Sequence, residues 1–203
     1  MKLYNSVGPN PHVVRMFLAE KGLAIAQEQV DVLSGDNRRQ PHLRRNPHGQ
    51  TPVLELDTGG FISEITAICE YIEDIQPTPP LIGTTAEEKA ECRMWTRRVD
   101  LNICEPLTNG HRFSTGLTLF KDRILTVPEA ADGLKRIAQD RLKWLDGQMA
   151  GKDFLCGQRF TLADILLYCF VSFGAARGQP LDPDFANVTG WFERVGGRAS
   201  AKA

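Results

Sequence analysis

The sequence predicts an α/β domain followed by an all-helical one, and three observations carry that expectation. Short strand-like runs surround two helical patterns at the start of the chain. The proline-rich stretch Gln76-Pro77-Thr78-Pro79-Pro80 then stops the second helix, because proline cannot continue the backbone ladder. Beyond Leu81 only long helical patterns follow. The expected division is a mixed domain over 1–76, a linker over 77–84 and a helical domain over 85–203.

Lys2 to Tyr4 reads as a short strand that ends in the turn-rich Asn5-Ser6-Val7-Gly8-Pro9. Asn10-Pro11 announces a helix: asparagine is a favoured N-cap that accepts an otherwise orphan N–H, and proline suits the first helical position. Val13, Val14, Phe17 and Leu18 supply its apolar face, and Gly22 sits where it ends. Gln27 to Val32 alternates as a strand, so strand, helix and strand make a parallel β-α-β unit with a right-handed crossover. Leu33 to Asn46 is polar and basic and reads as an irregular segment with a short helix. Pro52 lacks the N–H that a central strand needs, which places it at a strand start or in a turn, where a cis bond is at home. Val53 to Leu56, the turn Asp57-Thr58-Gly59-Gly60 and Phe61-Ile62 then form a hairpin. Glu64 heads a helix that carries Ile65, Ala67, Ile68, Tyr71 and Ile72 to about Ile75. The order β-α-β then β-β-α is thioredoxin-like.

In the second part, helical patterns run over about Ala86 to His111, Glu129 to Met149, Thr161 to Ala175 and Pro183 to Val195. Thr161 and Asp164 have the spacing of a capping box, aspartate standing in for the longer glutamate, and Phe160 can staple onto Ile165. Asp164 is therefore expected to stabilise folding and not to catalyse. Trp95, Trp144 and Trp191 read as packing residues.

Composition narrows the function classes. The 203 residues carry 24 basic and 25 acidic side chains, a net charge of -1, so no global field draws the chain to nucleic acid or an anionic membrane. Five scattered cysteines, Cys69, Cys92, Cys104, Cys156 and Cys169, show neither a C-x-x-C pair nor metal spacing with the four histidines. That pattern suits a reducing cytosol, and no leader-like or membrane-spanning stretch is evident, so a cytoplasmic location is expected with no metal. Small molecules and a second copy of the chain are the expected partners.

The stretch from Asn46 to Glu64 offers two things to a ligand. The Thr51 backbone, beside Pro52, can bond an extended peptide, and the first N–H groups of the helix after Glu64 can hold a carboxylate. Together these features resemble the glutathione-binding half of the cytosolic glutathione transferases. Further features of that family follow in order: the Leu3-Tyr4 strand, Arg15-Met16-Phe17-Leu18-Ala19-Glu20-Lys21-Gly22, the proline linker and the box from Phe160 to Ile165. The chain is most similar to the atypical fungal and bacterial subgroup that lacks the usual N-terminal tyrosine, serine or cysteine.

The resemblance implies that glutathione is a co-substrate, that no other cofactor is needed and that a hydrophobic electrophile is the second reactant. It implies that Thr51 and Pro52 meet the cysteinyl backbone and that Glu64 and the Ile65 N–H hold the γ-glutamyl end. One of Arg38, Arg39, Arg44 and Arg45, with Gln50, meets the glycine carboxylate; Arg39 stands for the set. It also implies a homodimer, with Arg97 or Asp100 able to reach the partner's site.

Such a site must favour the thiolate, since a free thiol with a pKa of about 8.5 is mostly protonated at neutral pH. The family's usual donor slot falls at Pro9 and Asn10, which offer neither hydroxyl nor thiol. Asn10 can donate through its amide, with the positive helix end behind it. Ser6 is a hydroxyl in the same turn but lies early. His111 and Ser114, three residues apart, match the histidine and serine that hold a thiolate-stabilising water in the atypical subgroup. His12, His42 and His48 read as solvated. Conjugation of glutathione to hydrophobic electrophiles is the expected reaction. A glutathione-dependent thiol oxidoreductase or peroxidase, or a non-catalytic binding module, are the alternatives.

Overall fold

A computed structural model describes residues 1–203 and divides them into two compact units, Met1–Leu81 with Lys202–Ala203, and Ile82–Ala201. In the first unit the sheet has the order β2-β1-β3-β4, from β1 (Lys2–Asn5), β2 (Ala26–Gln29), β3 (Val53–Glu55) and β4 (Phe61–Ser63). β1 and β2 run parallel; β3 is antiparallel to both β1 and β4. This is the thioredoxin-like arrangement.

Helix α1 (Pro9–Glu20) crosses between the parallel strands and packs with α3 (Ile65–Ile75). Their buried faces, Val13, Val14, Met16 and Phe17 from α1 and Ile68, Cys69 and Ile72 from α3, join Leu3 and Leu54 in the core. β2 is shorter than the alternation from Gln27 to Val32 suggests, and all four of its residues are exposed. The cause is at both ends of the ladder. β1 supplies only four partners, and the Asp31 carboxylate folds the chain away by accepting the N–H groups of Leu33 and Ser34 at 2.9 and 3.0 Å. Between β2 and β3 lie a 3-10 turn (Asp36–Arg38) and the one-turn helix α2 (His42–Arg45).

A buried ion pair ties the end of α1 to the end of this unit. Lys21 Nζ stands 2.5 Å from Glu73 and donates to the Pro79 carbonyl at 2.6 Å, while Glu73 accepts the Leu81 N–H at 3.0 Å.

The second unit is helical: α4 (Ala86–Val99), α5 (Glu105–Arg112), α6 (Leu117–Phe120), α7 (Ala131–Gln148), α8 (Leu162–Ala176) and α9 (Ala186–Gly196). The pattern from Ala86 to His111 is one continuous run, interrupted by a π-helical segment at Asp100–Cys104, where the Asn102 amide donates to Arg98 O at 2.8 Å. α8 is buried almost all round, which marks it as the core helix. Thr161 and Asp164 form its capping box: Asp164 accepts the Thr161 N–H at 2.9 Å. The carboxylate also takes the Leu155 N–H and the Trp191 indole N–H, each at 2.9 Å, so it fastens the preceding loop and α9 to the helix start. Phe160 lies edge-on to Phe154 at 5.4 Å and beneath Arg198. Trp95 and Trp191 are buried, and Trp144, 40% exposed, packs its ring against Trp95 with centroids 6.1 Å apart. No helix is long and apolar enough to cross a membrane.

Candidate functional site

The Thr51–Pro52 bond is cis, and the β3 ladder begins only at Val53. Neither the N–H nor the carbonyl of Thr51 takes part in a backbone hydrogen bond, so both remain open to an extended ligand. The Thr51 hydroxyl is held by a short hydrogen bond with that of Ser6, a buried residue at the end of β1.

Just after β4, Glu64 has φ 72, the single non-glycine residue of the chain with positive φ. A non-glycine residue in this sparsely populated region costs on the order of 1–3 kcal/mol and is characteristic of functional sites. Glu64 is exposed, and its carbonyl accepts the first helical bond of α3 from Ile68 N–H at 3.0 Å. The N–H groups of Ile65, Thr66 and Ala67 therefore have no partner within the helix and, with the helix dipole, form a place for a carboxylate.

The loop ahead of Thr51 is fixed by side chains the sequence did not single out. His42 Nε2 and Asn46 Nδ2 both bond the Gln50 carbonyl, at 2.9 and 3.0 Å, and Asn37 Nδ2 donates to the Gly49 carbonyl at 2.6 Å. His42 is 2% exposed, which corrects the expectation that it is solvated. His48 is exposed. The Gln50 carboxamide itself makes no hydrogen bond. The basic residues divide: Arg45 stacks on the Tyr4 ring at 3.8 Å, Arg38 donates to His48 O at 3.1 Å, and Arg39, exposed, reaches Ser34 O at 2.6 Å and Asp36 at 3.4 Å. Arg44 is exposed with no partner.

Asn10 is not the N-cap of α1. Gly8 takes that place with φ 114, Pro9 is the first helical residue and Asn10 the second, because Pro9 already supplies a helical φ one residue earlier. The Asn10 amide consequently makes no hydrogen bond within the chain. Ser6 bonds Val7 O at 3.2 Å besides Thr51. Tyr4 is turned elsewhere, its hydroxyl donating to Glu55 at 2.7 Å; burial and this contact raise the phenol above its ordinary pKa.

In the second unit α5 continues through Gly110 to Arg112, and His111 lies on its buried side. The ring stands edge-on to Phe173 at 5.2 Å and Phe120 at 6.3 Å. Nδ1 bonds the Thr115 hydroxyl at 2.8 Å, a partner that sequence spacing did not suggest, while Nε2 has none. Burial, then the charges of Arg177, Arg112 and Lys135, hold the His111 pKa below its ordinary value, so the ring is neutral near neutral pH. Ser114 has left the helix; its hydroxyl turns back to Gly110 O at 2.6 Å, so the pair does not share a helix face.

None of the five cysteines is in a disulfide, and all are buried. Cys92 has its pKa lowered to about 7, mainly by a hydrogen bond with Cys156, whose thiol is pushed up in turn. Both lie in the second unit, and neither reaches solvent.

The chain has clear relatives. The family model for the glutathione S-transferase N-terminal domain matches residues 1–74, and that for the C-terminal domain matches residues 112–199. Glutathione S-transferase 2 of Saccharomyces cerevisiae is 28% identical over all of this chain and 88% of its own length. The Gtt2 crystal structure from that yeast superposes with a TM-score of 0.93 at 28% identity, covering 100% of this chain and 99% of that one. A glutathione S-transferase domain-containing protein of Marinobacter aquaeolei also reaches 0.93, at 32% identity, covering 98% and 99%. Elongation factor 1-gamma of Sus scrofa is 30% identical over 86% of this chain, which corresponds to 41% of the factor. A two-part match along the chain, with a thioredoxin-like unit and a helical unit in the family's order, makes this protein a member of the glutathione S-transferase family, of the Gtt2-like type.

Proposed function

We propose that the protein is a glutathione transferase that adds the glutathione thiolate to hydrophobic electrophilic small molecules. The observation that carries the reading is the pairing of an open Thr51 backbone beside cis-Pro52 with the unpartnered N–H groups of the helix opened by Glu64. Thr51 and Pro52 receive the cysteinyl backbone, Glu64 and the Ile65 N–H receive the γ-glutamyl end, and Gln50 with Arg39 receives the glycine carboxylate.

Thiolate stabilisation falls to Asn10, whose amide is unpaired, or to His111 with Ser114 through a water. His111 suits that role because its imidazole is neutral and its Nε2 unpartnered. The protein itself does not form the covalent bond; it lowers the thiol pKa and holds both reactants together. In this reading it acts as a homodimer, with the exposed Met94 and Leu101 as apolar contact surface.

A second reading has its own support. Elongation factor 1-gamma is a relative whose name states no transferase activity, and residues 9 and 10 carry no hydroxyl or thiol, so a non-catalytic binding module is the competitor. An oxidoreductase that attacks through its own cysteine is disfavoured, since all five are buried. Chemistry using glutathione thiols alone remains compatible with the fold.

The test is conjugation across several electrophiles, combined with an ultraviolet titration of the bound thiolate in wild type, Asn10→Ala, His111→Ala and Ser114→Ala. A bound thiol below its free pKa supports the transferase. An unshifted thiol pKa supports the module, and a rise confined to Asn10→Ala excludes the His111–Ser114 pair. Turnover of glutathione disulfide supports the redox reading.

A further inference from the structure

Resting on the glutathione reading, we infer that His42 is a positioning residue that aims the Thr51 N–H at the tripeptide by holding the Gln50 carbonyl from behind. A carbonyl only accepts, so His42 Nε2 carries the proton of their 2.9 Å contact, and Nδ1, buried with no hydrogen-bond partner, is the bare nitrogen. Asn46 Nδ2 occupies the second lone pair of the same oxygen at 3.0 Å. Asn37 holds the preceding carbonyl at 2.6 Å, and all three side chains are buried.

The geometry of the peptide unit carries the consequence. The Gln50–Thr51 bond is not among the cis bonds, and in a planar trans peptide C=O and N–H point in opposite directions. Two donors that fix the Gln50 oxygen therefore fix the Thr51 N–H on the other side. That N–H is one of the two backbone groups left open at the turn. The loop is closely packed here as well: a side chain at Gly49 (φ 61) would stand 2.8 Å from the Asn37 carbonyl and 3.1 Å from Leu43. Pro52 closes the other end.

The clamp acts on binding of the tripeptide and not on the reacting sulfur, which gives it a kinetic signature. The experiment compares the full chain with His42→Phe, which keeps a ring and loses the donor, and His42→Gln, whose carboxamide N–H extends to about the same place. Glutathione uptake is read by calorimetry, conjugation by KM and kcat, and loop order by amide exchange over residues 49–56 in ligand-free protein. In His42→Phe, the expected Kd and KM for glutathione rise about three- to tenfold, the size of one hydrogen bond, with kcat within twofold and faster exchange at Thr51. His42→Gln recovers most of the loss.

His42→Phe that binds and exchanges as wild type overturns the proposal, as does His42→Gln failing equally, which would make the ring's bulk the cause. If His42→Phe does not fold, Asn46→Leu removes the other donor to the same oxygen, with the same expected pattern and the same overturning result. Should wild type take up no glutathione, the transferase reading fails by itself; unchanged Thr51 exchange in the variants would then overturn the clamp as well.

Discussion

Gly116 leaves room for the His111 ring: a Cβ there would stand 2.7 Å from Nε2 and 3.1 Å from two ring carbons. Gly116 has an ordinary helical backbone, so alanine at this position is a purely steric change. Gly116→Ala is expected to displace the imidazole, raise the pKa of the bound thiol and lower kcat/KM about tenfold if His111 holds the activating water, a geometric sensitivity typical of positioned groups. Gly190→Ala, with nothing near its Cβ, is the control and should leave both unchanged. The neutral state of His111 also sets a pH dependence. Its folded pKa lies below the unfolded value, so its contribution to stability is present above about 6.5 and is lost as pH falls through the folded value. In His111→Gln that part of the acid destabilisation, read from urea midpoints between pH 7 and 5, should disappear. At this scale the sequence exposed Pro52 and Glu64, because proline chemistry and a helix start are written locally. Thr115, and His42 as a buried donor, were not legible, since their partners are set by how a turn and a loop close in space. Asn10 was misplaced because the helix starts two residues earlier than expected, two prolines, Pro9 and Pro11, competing for the first helical position.

Two elements are tied down by buried charge, with opposite consequences. The start of α8 depends on Asp164, whose carboxyl is pushed up to about 6 by burial, against hydrogen bonds from Leu155, Trp191 and Thr161. A folded pKa above the unfolded 3.8 means that the native state holds this proton more tightly. The contribution is complete below about 4 and is lost as pH rises through about 6, amounting to roughly 3 kcal/mol over two units. Measured as the difference in unfolding free energy, wild type minus Asp164→Asn should fall by that amount between pH 4 and pH 7; a flat difference contradicts the assignment. At the end of α1, by contrast, Lys21 is paired with Glu73 of α3, and the two are bonded to the backbone of Pro79 and Leu81. Lys21→Met leaves Glu73 buried without its cation and should cost roughly 3–5 kcal/mol, checked by chemical denaturation. The capping box was visible as Thr161 and Asp164 three apart, yet the sequence could not show that Asp164 also takes the Trp191 indole from another helix. The π-helical segment at Asp100–Cys104 escaped for a similar reason: a one-residue widening hardly disturbs helical periodicity.

The whole chain repeats this contrast between local signal and distant partner. Its two compact units meet in sequence at Leu81 and Ile82, next to the proline cluster, while Lys202–Ala203 group with the first unit. The mixed and helical classes were readable because strand alternation, proline stops and helical period are each local. The two halves of the proposed glutathione site were less so, since Thr51 and Glu64 come together only when the β3–β4 hairpin folds. With every cysteine buried, native protein should react slowly with a thiol reagent and release five equivalents only on unfolding. The central claim is that glutathione lies along the Thr51 backbone with its γ-glutamyl carboxylate over the helix opened by Glu64. Calorimetric titration of the full chain with glutathione, set beside cysteinylglycine, which lacks the γ-glutamyl group, tests it most directly. Saturable uptake of glutathione, with the dipeptide at least tenfold weaker, is the predicted result; no saturable heat, or equal uptake of the two, would contradict it.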